Sequence, residues 1–578
     1  MSKNFGRTLV TSALPYANGH IHLGHIAGAY LPADVFVRYK RLRGQRVLFV
    51  CGSDEYGVPI TLTALKEGKT PTEVIDLYHA ANDEAFRRIG ISFDIYGRTS
   101  WPIHTETVQA FFKNLYDGGH IDKQEMELWY SEQSDRFLPD RYVKGTCPKC
   151  GFEEATGDEC ENCGAQYSAH DLVEPRANIP GDNSKPILKM TTHWFLRLQD
   201  FADRLRAWLD GHPEWRANVK GIAYGWVSDL RSRCITRDTD WGVPIPLDDP
   251  DAEGKRFYVW FDNAIGYVTN TRQWGIDTYG DADAWVPWWK ADDSRLIHFI
   301  GKDNVPFHTI LFPSYLMAQG DFILADNVIG NEYLNIKNRE TGKEEKGSKS
   351  KGNMISVRWL AAHLDQNAIR YYMCATMPET KDAAFDWDEF MNRYNGELCD
   401  VVGNFVHRAL TMTVKNFDCQ VPDPGALDEE DQALLDSLPE QIDAVADALE
   451  QFRFRLASER FIEIGRRANQ YFDTKQPWVT RKTDRERTAT TLYVCCQVIR
   501  ALCTTMAPFV PEGSRKLAEI LGVALPEGGP EGGEDAWETA KALLPAGTPL
   551  QKPRVLFPKL DPDLIADLAE KHASGEAT

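Results

Sequence analysis

Four of the chain's twelve cysteines fall between positions 147 and 163, as Cys147-Pro-Lys-Cys150 and Cys160-Glu-Asn-Cys163. The spacing is C-x2-C-x9-C-x2-C, with Gly151 and Gly164 directly after the two pairs. Two such turns can present four thiolates tetrahedrally, the donor set of a structural Zn²⁺ site. All four positions are cysteine, which leaves no open position for a catalytic water, so the expected role is structural. The cluster lies within a stretch, about 118–235, that carries several Gly and Pro residues and irregular patterning. On either side the patterning is regular. The chain is therefore expected to fold around an inserted, metal-clipped module.

The flanking rhythm alternates strand and helix. Thr8–Ser12 reads as a short strand, Pro15, Asn18 and Gly19 break it, and a helical pattern begins near His22. Arg46–Cys51 is a second buried strand that ends in the polar turn Gly52-Ser53-Asp54, and helical stretches run to about Asp117. After the insertion, the apolar runs Phe257–Phe261 and Leu296–Ile300 resume the rhythm, with a helix over Asn304–Gln319. This predicts an α/β domain with a parallel, doubly wound sheet split by the insertion. Residues 329–385 read as a mixed connector rich in Lys and Gly. From Asp386, a plausible N-cap, Phe390, Tyr394, Leu398, Val402 and Phe405 recur at helical spacing. Further helices near 427–449, 452–473 and 484–507 predict an up-and-down bundle. Pro526–Asp535 (PEGGPEGGED) is expected to be a flexible loop, and the last ten or so residues frayed.

Composition narrows the function. With 578 residues, 43% hydrophobic and 26% charged, this is a globular chain of about three to four domains. No apolar stretch reaches the ~18 residues a membrane span needs. The start, MSKNFGRTLVTS, has no export segment, so a cytoplasmic location and reduced thiols at the other eight cysteines are expected. The net charge of −20 argues against binding nucleic acid by bulk charge and leaves room for a local basic groove.

Two motifs carry chemistry. Pro15-Tyr-Ala-Asn-Gly-His-Ile-His22-Leu-Gly24-His25 follows a strand and opens a helix. Helix N-termini bind phosphate, Gly24 allows close backbone approach, and two imidazoles one short turn apart can donate hydrogen bonds to it. Lys346-Gly-Ser-Lys349-Ser-Lys-Gly352 alternates lysines with small residues and can bring an ammonium onto a triphosphate as charge builds.

In order along the chain, these features resemble the class I aminoacyl-tRNA synthetases: His22–His25 is similar to their HIGH signature and Lys346–Ser350 to KMSKS. In detail the chain resembles the methionyl-tRNA synthetases. Leu14–Gly19 looks like their first strand–loop, Val259–Asp262 with Ile265-Gly-Tyr267 like their amino-acid pocket, Phe299–Asp303 with Phe307-His308 like its second segment, and Gln476-Pro477-Trp478 like their anticodon-reading corner. The resemblance implies a Rossmann-type catalytic domain (1–117 and 236–328), a zinc-bearing connective insertion (118–235) and a stem-contact segment with the signature loop (329–385). A helical anticodon-binding domain (386–545) and a C-terminal tail (546–578) would follow. It implies activation of methionine with ATP and Mg²⁺, then transfer to tRNA(Met). His22, Gly24, His25 and Lys349 would bind ATP, with His22, His25, Lys346 and Lys349 catalytic. Leu14, Tyr16, Asp54, Trp260, Tyr267 and His308 would hold methionine, Asp54 at the ammonium, and Arg237 would lie near the active site. Asn404, Arg408, Pro477 and Trp478 would read the anticodon.

The chain departs from the pattern at Gly347, where methionine is usual, at Asn263-Ala264, where Ala-Pro is frequent, and at Asn304. It carries no further C-terminal tRNA-binding domain of the kind that dimerises some relatives, so a monomer is expected. Two rivals remain. A synthetase for leucine, isoleucine or valine would need a large editing insertion, for which 118–235 is short. A non-catalytic tRNA-binding paralogue would be expected to lack the histidines or lysines.

Overall fold

The computed structural model describes residues 5–577, apart from 158, 159, 161, 164, 166, 168, 183, 340, 346 and 348–352. Its centre is a five-stranded sheet of β1 (Arg7–Ser12), β2 (Val47–Ser53), β3 (Ile95–Arg98), β6 (Ser294–Gly301) and β7 (Ala325–Asn331). The order is β7-β6-β1-β2-β3 and every pairing is parallel. All seven residues of β2 are buried. A strand covered on both faces has no reason to alternate, which is why the sequence there is continuously apolar. Leu9, Leu48, Val50 and Leu296 join the core on one face; Val10, Phe49, Ile297 and Phe299 join the core on the other.

The crossover from β3 to β6 carries the insertion. Strands β4 (Ile121–Ser131) and β5 (Ile187–Leu196) pair antiparallel from Ile121↔Leu196 to Tyr130↔Ile187. Near their tips a small sheet of 143–146, 155–156 and 173–177 supports the cysteine cluster. This module packs back on the sheet domain through Leu62, Leu138, Tyr142 and Cys147, and the Tyr142 hydroxyl donates to Thr61 Oγ1 at 2.6 Å.

Three expectations need correction. The run Phe257–Phe261 is not one strand: a strand ends at Phe257 and Val259–Asp262 is helical, leading through a 3-10 turn into α2 (Gly266–Tyr279). The Phe257 and Phe261 rings stack at 4.9 Å, a helix-like i, i+4 contact that a short apolar run does not distinguish from a buried strand. The PEGGPEGGED loop is docked. Val47 N donates to Gly529 O at 3.0 Å, Arg46 Nε to Pro530 O at 3.0 Å and Gly533 N to Gly44 O at 3.0 Å. Its glycines serve close backbone approach: a Cβ on Gly44, whose φ is +69°, would lie 2.4 Å from Gly533 O. The tail is not frayed either. A helix at Pro562–Ala573 is capped by Asp561, and the carbonyl of buried Ala577 accepts from Ser356 N at 2.7 Å.

The helical region comprises a π segment Tyr394–Gly403, then α3 (Asn404–Asn416), α4 (Glu429–Glu450), α5 (Phe454–Lys475) and α6 (Arg485–Thr505). Its core is continuous with the sheet's: Phe36 and Phe452 rings lie 5.0 Å apart. Among the described residues, no helix is long and apolar enough to cross a membrane.

Candidate active site

Strands β1 and β6 are neighbours whose chains leave in opposite directions around the sheet. In open α/β sheets ligands bind in the crevice at such a point, beyond the carboxyl ends of the strands. The loop after β1 crosses to the end of β2, where Ala17 N donates to Asp54 O and Asp54 N to Pro15 O, both at 2.8 Å. This bridge sets Tyr16 beside Asp54.

His22 then caps the next helix, α1 (Leu23–His25). Its backbone is extended, its Nδ1 accepts from Gly24 N at 3.1 Å, and His25 Nδ1 accepts from His22 N at 3.2 Å. With both Nδ1 atoms accepting, each ring carries its proton on Nε2. The rings lie 3.7 Å apart, and a Cβ on Gly24 would come within 3.0 Å of the His22 ring. Beside them is a cavity of about 290 Å³ lined by Pro15, Tyr16, Asn18, His22, His25 and Arg141, with Gly347 at its edge. The segment after the signature loop is pinned to the same motif: Leu23 N donates to Ile355 O at 3.1 Å and Val357 N to Ile21 O at 3.0 Å. Lys346 and Lys349 lie outside the described residues.

The neighbouring cleft, about 640 Å³, runs between the sheet and the insertion. Tyr16 and Trp260 are on its wall, Trp260 stacked on Phe307 at 3.7 Å and meeting Tyr16 edge-on at 6.3 Å. Leu14, Asp54, Tyr267 and His308 are buried and do not line this open space. The Tyr267 hydroxyl donates to His308 Nε2 at 2.8 Å, and His308 Nδ1 donates to Asn304 O at 2.9 Å. Burial pushes His308 down to about 4, so this imidazole is neutral. Arg237 lies on the cleft wall with its guanidinium 3.8 Å from the Tyr258 ring centre.

Burial holds the Asp54 carboxyl well above the usual range, Asp262 adds to this, and the Asn263 amide, donating to Asp54 Oδ2 at 2.5 Å, opposes it. Asp262 is raised by burial and stands 3.3 Å from His104 Nε2. From the sequence, Asp262 and Phe307 fall within the pocket-like segments without a role of their own, Asn263 stands out only as a departure from the family pattern, and Arg141 is not marked at all. Asp262 gave a signal, a lone acid in an apolar run. Arg141 gave none, because it arrives from the insertion.

Far along the chain, Asn404 is exposed at the start of α3 and Arg408 follows one turn later, its guanidinium 5.3 Å from the Trp478 ring centre. Pro477 is the buried first residue of a short helix, and Gln476 before it adopts φ +46°, which turns the corner. Trp478 is half-buried and packs on Phe472 at 5.6 Å.

In the insertion the thiols of Cys147, Cys150, Cys160 and Cys163 all lie within 4.8 Å of one another, with Cys147–Cys163 at 3.9 Å and Cys150–Cys160 at 3.6 Å. A Zn²⁺ with four thiolates at about 2.3 Å sets sulfurs roughly 3.8 Å apart, so the donor set fits that ion.

Residues 8–410 match the sequence model of the family described as tRNA synthetases class I (M), and residues 421–577 that of the anticodon binding domain of methionyl tRNA ligase. The chain is 45% identical to the methionine–tRNA ligase of Salinibacter ruber over 98% of its length and 81% of that relative's. It is 44% identical to that of Porphyromonas gingivalis, over 98% and 80%. Among solved structures it resembles Mycobacterium tuberculosis methionyl-tRNA synthetase in complex with methionyl-adenylate, with TM-score 0.77, 27% identity, and coverage of 96% of this chain and 99% of the other.

Proposed function

The chain belongs to the methionyl-tRNA synthetase family of class I aminoacyl-tRNA synthetases, and from that premise we propose that it is a methionine–tRNA ligase. It joins methionine to ATP as methionyl-adenylate, releasing diphosphate, and transfers the aminoacyl group to the terminal ribose of tRNA(Met). The observation that carries this reading is the aromatic wall of Tyr16, Trp260 and Phe307 beside buried Asp54, next to the His22–His25 cavity. A thioether packs well on aromatic faces, and a buried carboxylate is the natural partner of the substrate ammonium. Leu14, Tyr267 and His308 complete the amino-acid side, and the closed packing around them implies that side chains shift to admit the substrate.

Methionine's carboxylate is already an anion, so attack on the α-phosphate requires no general base. Catalysis comes from alignment and from stabilising charge on the phosphates. The Nε2–H groups of His22 and His25, and Lys346 and Lys349 of the signature loop, are proposed for that role, with Gly24 allowing the approach. Mg²⁺ arrives with ATP, held mainly by its phosphates. Asn404, Arg408, Pro477 and Trp478 are proposed to read the anticodon, Trp478 by stacking on a base. The four cysteines are proposed to hold one Zn²⁺, which would fix the insertion's fold and take no part in the reaction. The enzyme is proposed to act as a cytoplasmic monomer.

Amino-acid-dependent exchange of pyrophosphate into ATP, scanned over twenty amino acids without tRNA, tests the reading. Exchange with methionine alone supports it. Exchange with leucine, isoleucine or valine overturns the pocket, and no exchange from folded protein overturns the enzyme.

A further inference from the structure

Asp54 and Asp262 are each about 1% exposed, and the charge of Asp262 is among the causes that raise Asp54. Two buried carboxylates whose charges act on each other do not both ionise readily, and one ammonium ligand calls for one anion. The hydrogen bonds around them divide the roles. Asp54 receives donors on both oxygens: Asn263 Nδ2 at 2.5 Å on Oδ2 and, more weakly, Tyr56 N at 3.4 Å on Oδ1. Asp262 receives none on Oδ1, and its Oδ2 stands 3.3 Å from His104 Nε2. The Thr269 hydroxyl donates to Ile265 O at 3.3 Å, so it accepts from His104 Nδ1 at 2.9 Å. That leaves the lone pair of Nε2 facing Asp262, where a protonated carboxyl is the group that satisfies it. Of the other groups near Asp54, Glu55 also acts on it, its charge raising Asp54. Tyr16 and Tyr267 are held neutral by burial, and Glu55 is paired with Arg98 at 2.8 Å.

We propose that Asn263 is a positioning residue for amino-acid recognition: its side-chain amide anchors one oxygen of Asp54 and presents that carboxylate to the substrate ammonium as a single fixed anion, with Asp262 as its neutral neighbour. This rests on the reading of Asp54 as the ammonium partner. Asn263 itself touches Asp54, so its effect is confined to ligands that carry the ammonium.

The test uses the full chain and compares wild type, N263A, N263D and D54N in methionine-dependent pyrophosphate exchange from pH 6 to 9. It also compares inhibition by methioninol, which keeps the ammonium, with inhibition by the ammonium-free 4-(methylsulfanyl)butan-1-ol. N263A is expected to raise the methionine KM about 10-fold or more, the size of losing a hydrogen bond to a charged group, with kcat changed less than about threefold. The acid limb of kcat/KM should move to higher pH, because a donor that favours ionised Asp54 has gone. Methioninol should weaken as much as methionine, and the ammonium-free alcohol should not change. N263D, nearly isosteric, should show the same pattern more strongly and covers the case in which N263A does not fold. An equal loss for both alcohols, or an unmoved acid limb, overturns the proposal. D54N separates the premise: if it still prefers methioninol, Asp54 is not the ammonium partner, whatever Asn263 does.

Discussion

The Arg408 guanidinium lies over the face of Trp478, 5.3 Å from the ring centre, and 4.9 Å from that of Phe472. The pair is held together before any nucleic acid arrives, so a base stacking on the indole meets a preset platform. Replacing Trp478 with alanine should weaken tRNA binding by about 1–3 kcal/mol, seen as a tRNA KM raised roughly 5- to 150-fold. Pyrophosphate exchange without tRNA should stay within about twofold. R408A should act in the same direction, and the double variant should lose less than the sum, since the two side chains touch. Equal damage to exchange would place the pair in the fold rather than in recognition.

His22 and His25 both line the cavity and both belong to the helix cap, His22 as the N-cap that accepts from Gly24 N and His25 by accepting from His22 N. H25A should lower the exchange rate about 10²- to 10³-fold with methionine KM little changed, the scale of losing one preorganised donor to developing charge. For His22 the two roles separate by substitution. H22N keeps a good capping side chain and should lose rate alone. H22A should lose rate and also about 1 kcal/mol of stability. Chemical denaturation of both variants beside the rate assay checks this.

One Zn²⁺ per chain is expected by elemental mass spectrometry. Stripping it with a chelator, or substituting Cys147, should unfold the 143–177 region. Cys147 and Cys160 belong to the small core that joins this region to Leu62, and metal binding in so small a module contributes directly to its folding. Protection of those amides from hydrogen exchange should fall while protection across β1, β2 and β6 persists. A protein without zinc and with full protection in the insertion would contradict the assignment.

Buried Arg370 bonds Asp34 at 2.7 Å, and Arg38 bonds the same carboxyl at 2.8 Å. Burial pushes Asp34 up, but Arg38, Arg370 and Ser92 outweigh it and hold the group at about 2. A folded value below the unfolded one means stability that is present above about pH 4 and is lost as pH falls toward about 2, worth about 2 kcal/mol. R370M leaves a buried carboxylate short of a partner and should cost about 3–5 kcal/mol by denaturant titration at pH 7. D34N should flatten the acid side of the stability curve relative to wild type.

Gly44 faces Gly533 across the docked loop with φ +69°, a backbone conformation that favours glycine. G44A should therefore cost at least about 1 kcal/mol and expose 526–535 to proteolysis. If the variant keeps wild-type stability and protease resistance, the loop is not held at this point.

Much of the architecture was legible because burial on both faces of a parallel strand leaves an unmistakable apolar run, as at Val47–Cys51, and because Asp386 and Phe390–Phe405 follow helical spacing. The insertion was legible because it breaks that rhythm. Phe257–Phe261 was not, since five apolar residues fit a strand or a helix equally until the Phe257–Phe261 stack decides. The PEGGPEGGED loop misled because glycine needed for close packing looks in sequence like glycine used for freedom. At the site, His22, His25, Tyr16 and Trp260 could be proposed from local motifs. The Asn263–Asp54 bond spans 209 positions, and Arg141 enters from another module; no local pattern encodes either.

The continuous core through Phe36, Phe299, Phe452 and Phe454, flanked by the ion pair of buried Lys40 with half-buried Glu450, bears on how a tRNA is judged. Packed aromatic rings make the sheet half and the helical half one frame, where a linker would have made them two bodies on a tether. Under the proposed function, the span from the Trp478 corner to the His22–His25 cavity is then a calliper with a fixed jaw. A tRNA is gauged for length as well as read for bases, and one whose anticodon fits but whose acceptor arm ends short must deform itself, because the protein does not reach.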